Sequence, residues 1–170
     1  MSNINKNNIF VNLYKIAPIT LLFISVLNEF DFNNIGLKYF SFNFSYILIF
    51  YFSLKRTESL GYGLIFIAGL FNDVVVGIPM GISSLVYLLI CGVAAYLRNI
   101  TLRPSLMQDW IFFLVTILTI NSISFLILTF MYDYEIIFLM QAINVLFTFS
   151  FYFIFSYLFS LFDTYFLGRP

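Results

Sequence analysis

Asp73 is the residue whose type and position most need a chemical explanation, because it lies between long apolar stretches. An ionised carboxylate in hydrocarbon costs on the order of 3 kcal/mol, so it needs a partner or a function. The segment from Gly61 to Leu97 reads as two apolar runs joined by a turn, GYGLIFIAGLFNDVVVGIPMGISSLVYLLICGVAAYL. Gly77 and Gly81 give this turn backbone freedom, and Pro79 disfavours helix at the residue before it. The segment therefore predicts a helical hairpin.

Two interpretations of Asp73 follow from this hairpin. Asp73 comes 13 residues after Leu60, which places it about 20 Å along a helix. It is either a docking or gating carboxylate, with donors and an acceptor on the neighbouring Asn72, or a cap for the helix that follows the turn. An anion is favoured at a helix N-terminus by the free N–H groups and by the helix dipole. The two interpretations are compatible, and the sequence leaves both open.

Composition indicates an integral membrane protein. The chain has 170 residues, of which 62% are hydrophobic and 9% are charged, and its mean hydropathy is +0.99. Soluble domains are about 25% charged, so this chain has too few polar residues to cover a globular surface. The length holds at most about seven spans of about 20 residues. No room is left for a soluble catalytic domain.

The chain has no His and a single Cys, Cys91, which excludes several classes of chemistry. Without His there is no imidazole general base, no His/Cys zinc site and no His-ligated haem. The net charge is zero, so nucleic-acid binding has no electrostatic basis. No nucleophile–base pair, paired intramembrane acid or phosphate loop is visible. We therefore predict no enzyme activity, no metal site and no cofactor.

Hydropathy predicts an all-α bundle of six transmembrane helices in one polytopic membrane domain, residues 1–170. The predicted helices are approximately 9–28, 39–54, 60–76, 80–97, 110–130 and 136–162. Trp110 is an interfacial anchor at the start of the fifth helix. The first apolar run is followed by Asn28 and Glu29 rather than by a cleavage pattern, so it is predicted to be a retained helix.

The basic residues agree with this arrangement and predict the orientation. An even number of spans puts both termini on one side, and seven of the eight basic residues fall on that side. These are Lys6, Lys15, Lys55, Arg56, Arg98, Arg103 and Arg169, whereas Lys38 falls on the other side. Because positively charged loops stay in the cytoplasm, both termini are predicted to be cytoplasmic.

Two further groups of residues have helical spacing. Small residues recur through the hairpin at Gly69, Ser84, Cys91 and Ala95, which permits close helix packing inside the bundle or leaves a groove for a partner helix. Gln141, Asn144 and Thr148 lie on one face of the last helix. They either hydrogen-bond neighbouring helices or line a polar cavity.

The hairpin resembles the MreD family, small multispanning proteins of the bacterial cell-elongation system. The similar pattern is G-L-x-x-D-x-x-x-G-x-P-x-G, which here runs from Gly69 through Asp73, Gly77 and Pro79 to Gly81. Weaker similarities flank it, and about two thirds of the chain is covered. They comprise Lys55-Arg56-Thr57-Glu58 before the hairpin and Arg98, Arg103, Ser105, Gln108 and Trp110 after it.

The resemblance implies a non-enzymatic scaffold role in lateral peptidoglycan synthesis and rod-shape maintenance. MreD-like proteins of the cell inner membrane act in the elongasome with the periplasmic scaffold MreC, the actin-like MreB filament and the wall synthases. The family's fold is similar to the six-helix substrate-binding subunits of energy-coupling vitamin transporters. The alternative function is therefore a small-molecule binding subunit of a transporter, with the Gln141 and Asn144 face as its cavity.

Overall fold

A computed structural model describes residues 16–27, 41–56, 60–101, 105–133 and 138–167 of the chain. Within these ranges the protein forms six helices, and the predicted all-α class is confirmed. They are α1 (Ile16–Leu27), α2 (Phe44–Lys55), α3 (Tyr62–Val76), α4 (Ile82–Ile100), α5 (Leu106–Tyr132) and α6 (Phe138–Leu167).

Three of these helices are long and apolar enough to cross a membrane: α4, α5 and the Phe138–Thr164 part of α6. The other three are apolar but shorter, with 12, 12 and 15 residues within the described ranges. A helix of 12 residues rises only about 18 Å, less than the roughly 30 Å of a hydrocarbon core. Six complete spans therefore remain a prediction.

The short helix α2 forms the centre of the bundle. Nine of its residues are buried, including every one from Ile47 to Leu54. Helix α2 packs against both α4 and α6, and its almost continuous apolar sequence suits a helix that is buried on most sides. Phe50 of α2 meets the rings of Phe113 at 5.1 Å and Tyr152 at 5.7 Å, and those two rings stack at 4.2 Å. These aromatic contacts join α2, α5 and α6.

Polar contacts explain where two helices begin. The second helix was predicted from residue 39, and of its first residues the structure describes 41–43, which are not helical. The Asn43 backbone N–H donates to Thr148 Oγ1 at 3.0 Å, and its side chain donates to Asn144 Oδ1 at 2.9 Å. At α5, Ser105 Oγ accepts the N–H of Gln108 at 3.3 Å, so the helix begins four residues before the predicted Trp110.

The remaining boundaries differ from the predictions by a few residues. Helix α4 runs from Ile82 to Ile100 rather than from 80 to 97, because Gly81 has a left-handed backbone that precedes the helix. Helix α6 continues to Leu167, five residues beyond the predicted end. Residues 9–15 and 28 of the first predicted helix, 39–40 of the second and 136–137 of the sixth lie outside the described ranges.

One end of the bundle, which we call the basic end, is joined by ion pairs between helices. Lys55 at the end of α2 pairs with the buried Asp109 of α5 at 2.7 Å. The next residue, Arg56, pairs with Asp163 of α6 at 3.1 Å. Arg98 of α4 donates to the Ser53 carbonyl oxygen at 3.2 Å. Three basic side chains therefore hold α2 to α4, α5 and α6 at this end.

Helices α3 and α4 approach each other closely at Gly69. A Cβ atom built on Gly69 would lie 2.4 Å from Ser84 Cα and 2.5 Å from Ser84 N. Ser84 Oγ also donates to the Phe66 carbonyl oxygen at 2.9 Å, across the same helix pair. Any side chain at position 69 would force two backbones apart, so this contact requires glycine.

We predict that Gly69→Ala lowers the free energy of unfolding by about 1–3 kcal/mol, because overpacking at a backbone contact cannot be relieved by a side-chain rotation. The measurement is the unfolding transition of the purified protein in detergent. Gly63→Ala is the matched control, since Gly63 lies in the same helix and a Cβ atom added there would meet nothing within 4 Å. Equal losses in the two variants would contradict the assignment of the contact.

Candidate functional site

The site is the turn between α3 and α4, and we call Asp73 together with residues 77–81 the Asp73 turn. Helix α3 ends because Gly77 adopts a left-handed conformation, with φ of 74°. The N–H groups of Gly77 and Ile78 both donate to the Asp73 carbonyl oxygen, at 2.9 and 3.1 Å. This pattern is a left-handed C-terminal cap, which satisfies a carbonyl group that the end of the helix leaves free.

The side chain of the same residue begins the next helix. Asp73 Oδ2 accepts the N–H of Gly81 at 2.6 Å, and Oδ1 accepts the N–H of Ser83 at 2.8 Å. Asp73 is fully buried, and Gly81 reaches this position with φ of 102°. The carboxyl group therefore caps the N-terminus of α4, where free N–H groups and the helix dipole favour an anion.

A second pair of side chains closes the turn on one side. Asn72 Nδ2 donates to Ser83 Oγ at 2.9 Å, and the neighbouring Asp73 accepts the N–H of the same serine. Two adjacent residues of α3 therefore bond Ser83. The sequence analysis identifies Asn72 but not Ser83. Ser83 is the second residue of α4, at the start of an apolar run, and nothing in its immediate sequence indicates that it bonds α3. Pro79 lies in the connection, where its carbonyl oxygen accepts the Ile82 N–H at 3.4 Å.

This arrangement limits what Asp73 can do chemically. Each carboxyl oxygen accepts a backbone N–H group and no atom of the residue is exposed, so the capping interpretation has a direct geometric basis. With both oxygens engaged and no atom exposed, the carboxyl group serves the turn and offers no surface to a molecule from outside the chain. Within the described residues no group of three or more His, Cys, Asp or Glu is arranged to hold a metal ion.

The small residues of α4 contact two different helices, α3 and α2. Ser84 faces Gly69 of α3, while Cys91 is buried and accepts a hydrogen bond from Ser53 Oγ of α2 at 3.2 Å. Ala95 is half-buried, and the adjacent Ala94 is fully buried. The Ser84 and Cys91 positions are thus covered by helices of the same chain.

The polar residues of α6 also divide into two groups. Asn144 and Thr148 bond the start of α2, where Asn144 Nδ2 also donates to Ser41 Oγ at 2.9 Å. Gln141 instead lines a groove between α5 and α6, which we call the α5–α6 groove. This groove has a volume of about 570 Å³ and mainly apolar walls. The structure therefore does not bring the three predicted cavity residues into one cavity.

Searches against protein-family models, curated proteins and solved structures find no match to this chain.

We predict that Asp73→Asn destabilises the protein by about 1.5–3 kcal/mol, because the amide group presents a donor to one of the two N–H groups. The change in the unfolding midpoint in detergent measures this loss. Asp133→Asn is the matched control, since Asp133 is exposed and has φ of 48°, a conformation that Asn tolerates. If both variants unfold like the wild type, Asp73 is not a structural cap.

Proposed function

We propose that this chain is a non-enzymatic inner-membrane subunit of the bacterial cell-elongation machinery, of the MreD kind. In this role it links an MreC-like scaffold, the MreB cytoskeleton and the peptidoglycan synthases, and so maintains cell shape. The observation that carries the proposal is the Asp73 turn. Four residues of the motif that gives the resemblance have defined tasks within this hairpin: Gly69, Asp73, Gly77 and Gly81.

The location of charge supports the proposed orientation. Lys55, Arg56 and Arg98 lie at the basic end, and the Asp73 turn lies at the opposite ends of α3 and α4. Because basic residues remain on the cytoplasmic side, this arrangement directs the turn toward the periplasm. Both termini are then cytoplasmic in a six-span chain.

The partner surface that we propose is the outer side of the Asp73 turn. The interior of the α3–α4 hairpin is already filled, so an MreC-like membrane helix cannot pack against Gly69 and Ser84. Apolar side chains at the tip remain accessible, and Met80 is 69% and Val76 41% exposed. An apolar tip held by a buried cap is a preorganised surface, which lowers the entropic cost of binding.

One observation favours the alternative of a transporter binding subunit. The α5–α6 groove is large enough for a small molecule, and Gln141 supplies a donor and an acceptor at its wall. Asn144 and Thr148 are committed to the start of α2, which leaves fewer polar groups for a ligand than the sequence suggested. The alternative would be supported by a coupling ATPase that co-purifies with the chain.

The test of the proposed function is affinity capture of the tagged protein from native membranes in mild detergent. We expect to recover a single-span protein with a periplasmic coiled coil, together with wall synthases. Recovery of an ATPase pair with a multispanning coupling subunit would instead assign the chain to a transporter.

We predict that Met80→Glu reduces recovery of the single-span partner by roughly tenfold, because a charge at the centre of an apolar interface costs at least about 1.4 kcal/mol. Quantitative mass spectrometry of the captured material measures the change. Met131→Glu is the control, since Met131 is 72% exposed near the end of α5 and lies outside the proposed surface. Equal recovery from both variants would rule out the turn tip as the partner surface.

A further inference from the structure

Three buried polar atoms at the basic end lie between α5 and α6, and we call them the Tyr152 cluster. They are Asp109 Oδ2, Tyr152 Oη and Ser156 Oγ, and none of them has a hydrogen-bond partner among the described residues. Asp109 is 1%, Tyr152 0% and Ser156 2% exposed. Asp109 Oδ2 does contact the Lys55 ammonium group at 2.7 Å, as an ion pair without hydrogen-bond geometry. The cluster is therefore polar, buried and incompletely bonded.

Packing between the antiparallel helices α5 and α6 brings the members of the cluster together. The rings of Phe113 and Tyr152 stack at 4.2 Å. Asp109 lies one turn before Phe113, and Ser156 lies one turn after Tyr152, so both residues extend from this stack toward the same end of the bundle. The Ser156 hydroxyl group is beside that of Tyr152, and Asp109 is close enough to interact with Tyr152 electrostatically. The two hydroxyl groups nevertheless do not bond each other.

The aromatic neighbours of Tyr152 cannot satisfy the cluster. Tyr152 packs against the rings of Phe50 and Phe113, and a phenylalanine side chain has no hydrogen-bonding group. A buried hydroxyl group without a partner loses its hydration and gains nothing in return. A buried ion pair is also favourable only when its remaining lone pairs are satisfied. The cluster therefore needs a group that accepts from two hydroxyl groups and donates to a carboxylate.

Water is the occupant whose chemistry fits these three atoms. Its oxygen accepts from two hydroxyl groups while one of its hydrogens donates to Asp109 Oδ2, and about three hydrogen bonds are usual for a buried water. A metal cation would compete with the Lys55 ammonium group, and an anion would be repelled by Asp109. The Lys55 side chain is 27% exposed, so solvent contacts the ion pair that borders the cluster.

We propose that the Tyr152 cluster binds one water molecule, which accepts hydrogen bonds from Tyr152 and Ser156 and donates one to Asp109. The water joins α6 to α5 beside the ion pair that Lys55 of α2 makes with the same carboxylate. It thereby completes the contact of three helices at the basic end. This site goes beyond the proposed function and does not depend on it.

The first experiment detects the water by X-ray radiolysis of the full-length protein in detergent, followed by mass spectrometry of the oxidised peptides. Radiolysis converts bound water into hydroxyl radicals, which oxidise the side chains in contact with it. Tyr87 is the control, because it is also a tyrosine, is only 2% exposed and lies on α4 outside the cluster. We expect Tyr152 to be oxidised roughly fivefold faster than Tyr87. Equal rates would overturn the proposal.

The second experiment measures the sign of a stability change. Removal of a buried hydroxyl group that has no partner is neutral or stabilising, whereas removal of one that bonds an ordered water is destabilising. We therefore expect Tyr152→Phe to lower the midpoint of thermal unfolding by roughly 2–4 °C. Tyr157→Phe is the control, since Tyr157 lies on the same helix and is 53% exposed, and it is expected to leave the midpoint unchanged.

The two measurements together separate a bound water from a direct contact. A midpoint for Tyr152→Phe that equals or exceeds that of the wild type would mean that the hydroxyl group has no bound partner, and would contradict the proposal. A lower midpoint without faster oxidation of Tyr152 would mean that the hydroxyl group bonds another protein group directly, which also contradicts it. Faster oxidation together with a lower midpoint supports the water site.

Discussion

The hydrogen bonds of Asp73 determine how the chain reverses direction between two apolar helices. A helix end leaves backbone groups without partners, and an apolar surrounding offers no water to satisfy them. The Asp73 carbonyl oxygen accepts the N–H groups that close α3, and the Asp73 carboxyl oxygens accept those that open α4. One residue thus satisfies backbone groups on both sides of the turn, and the two helices that the turn joins meet closely at Gly69 and Ser84.

The same constraint explains the start of α2. Residues 41–43, which precede α2, are not helical, and the polar groups of Ser41 and Asn43 are bonded by the side chains of Asn144 and Thr148 from α6. Because α2 is enclosed by other helices, it can be short and apolar on all sides, while ion pairs fix its other end through Lys55 and Arg56. Asn144 and Thr148 thus serve the beginning of α2, and Lys55 and Arg56 serve its end.

Local features of the fold could be predicted from the sequence, because they depend on neighbouring residues. Gly77, Pro79 and Gly81 mark the reversal of the chain without reference to any other helix, and the anion preference of a helix N-terminus already suggested a cap at Asp73. Composition was similarly sufficient for the all-α class. The late start of α2 was not predictable, since residues 41–43 are held by α6, about 100 residues later in the chain.

Which neighbouring helix a given face contacts also depends on tertiary packing, and the residue pattern of one helix does not reveal that packing. Gln141 and Asn144 are three residues apart, which separates them by only about 60° around the helix, yet one reaches α5 and the other α2. The small residues behave in the same way, with Ser84 against α3 and Cys91 against α2. Ser84, Cys91 and Asn144 are engaged inside the bundle, so they are not available to another molecule. The exposed tip of the turn belongs to the α3–α4 pair and the groove to the α5–α6 pair, so these two accessible surfaces lie on different pairs of helices.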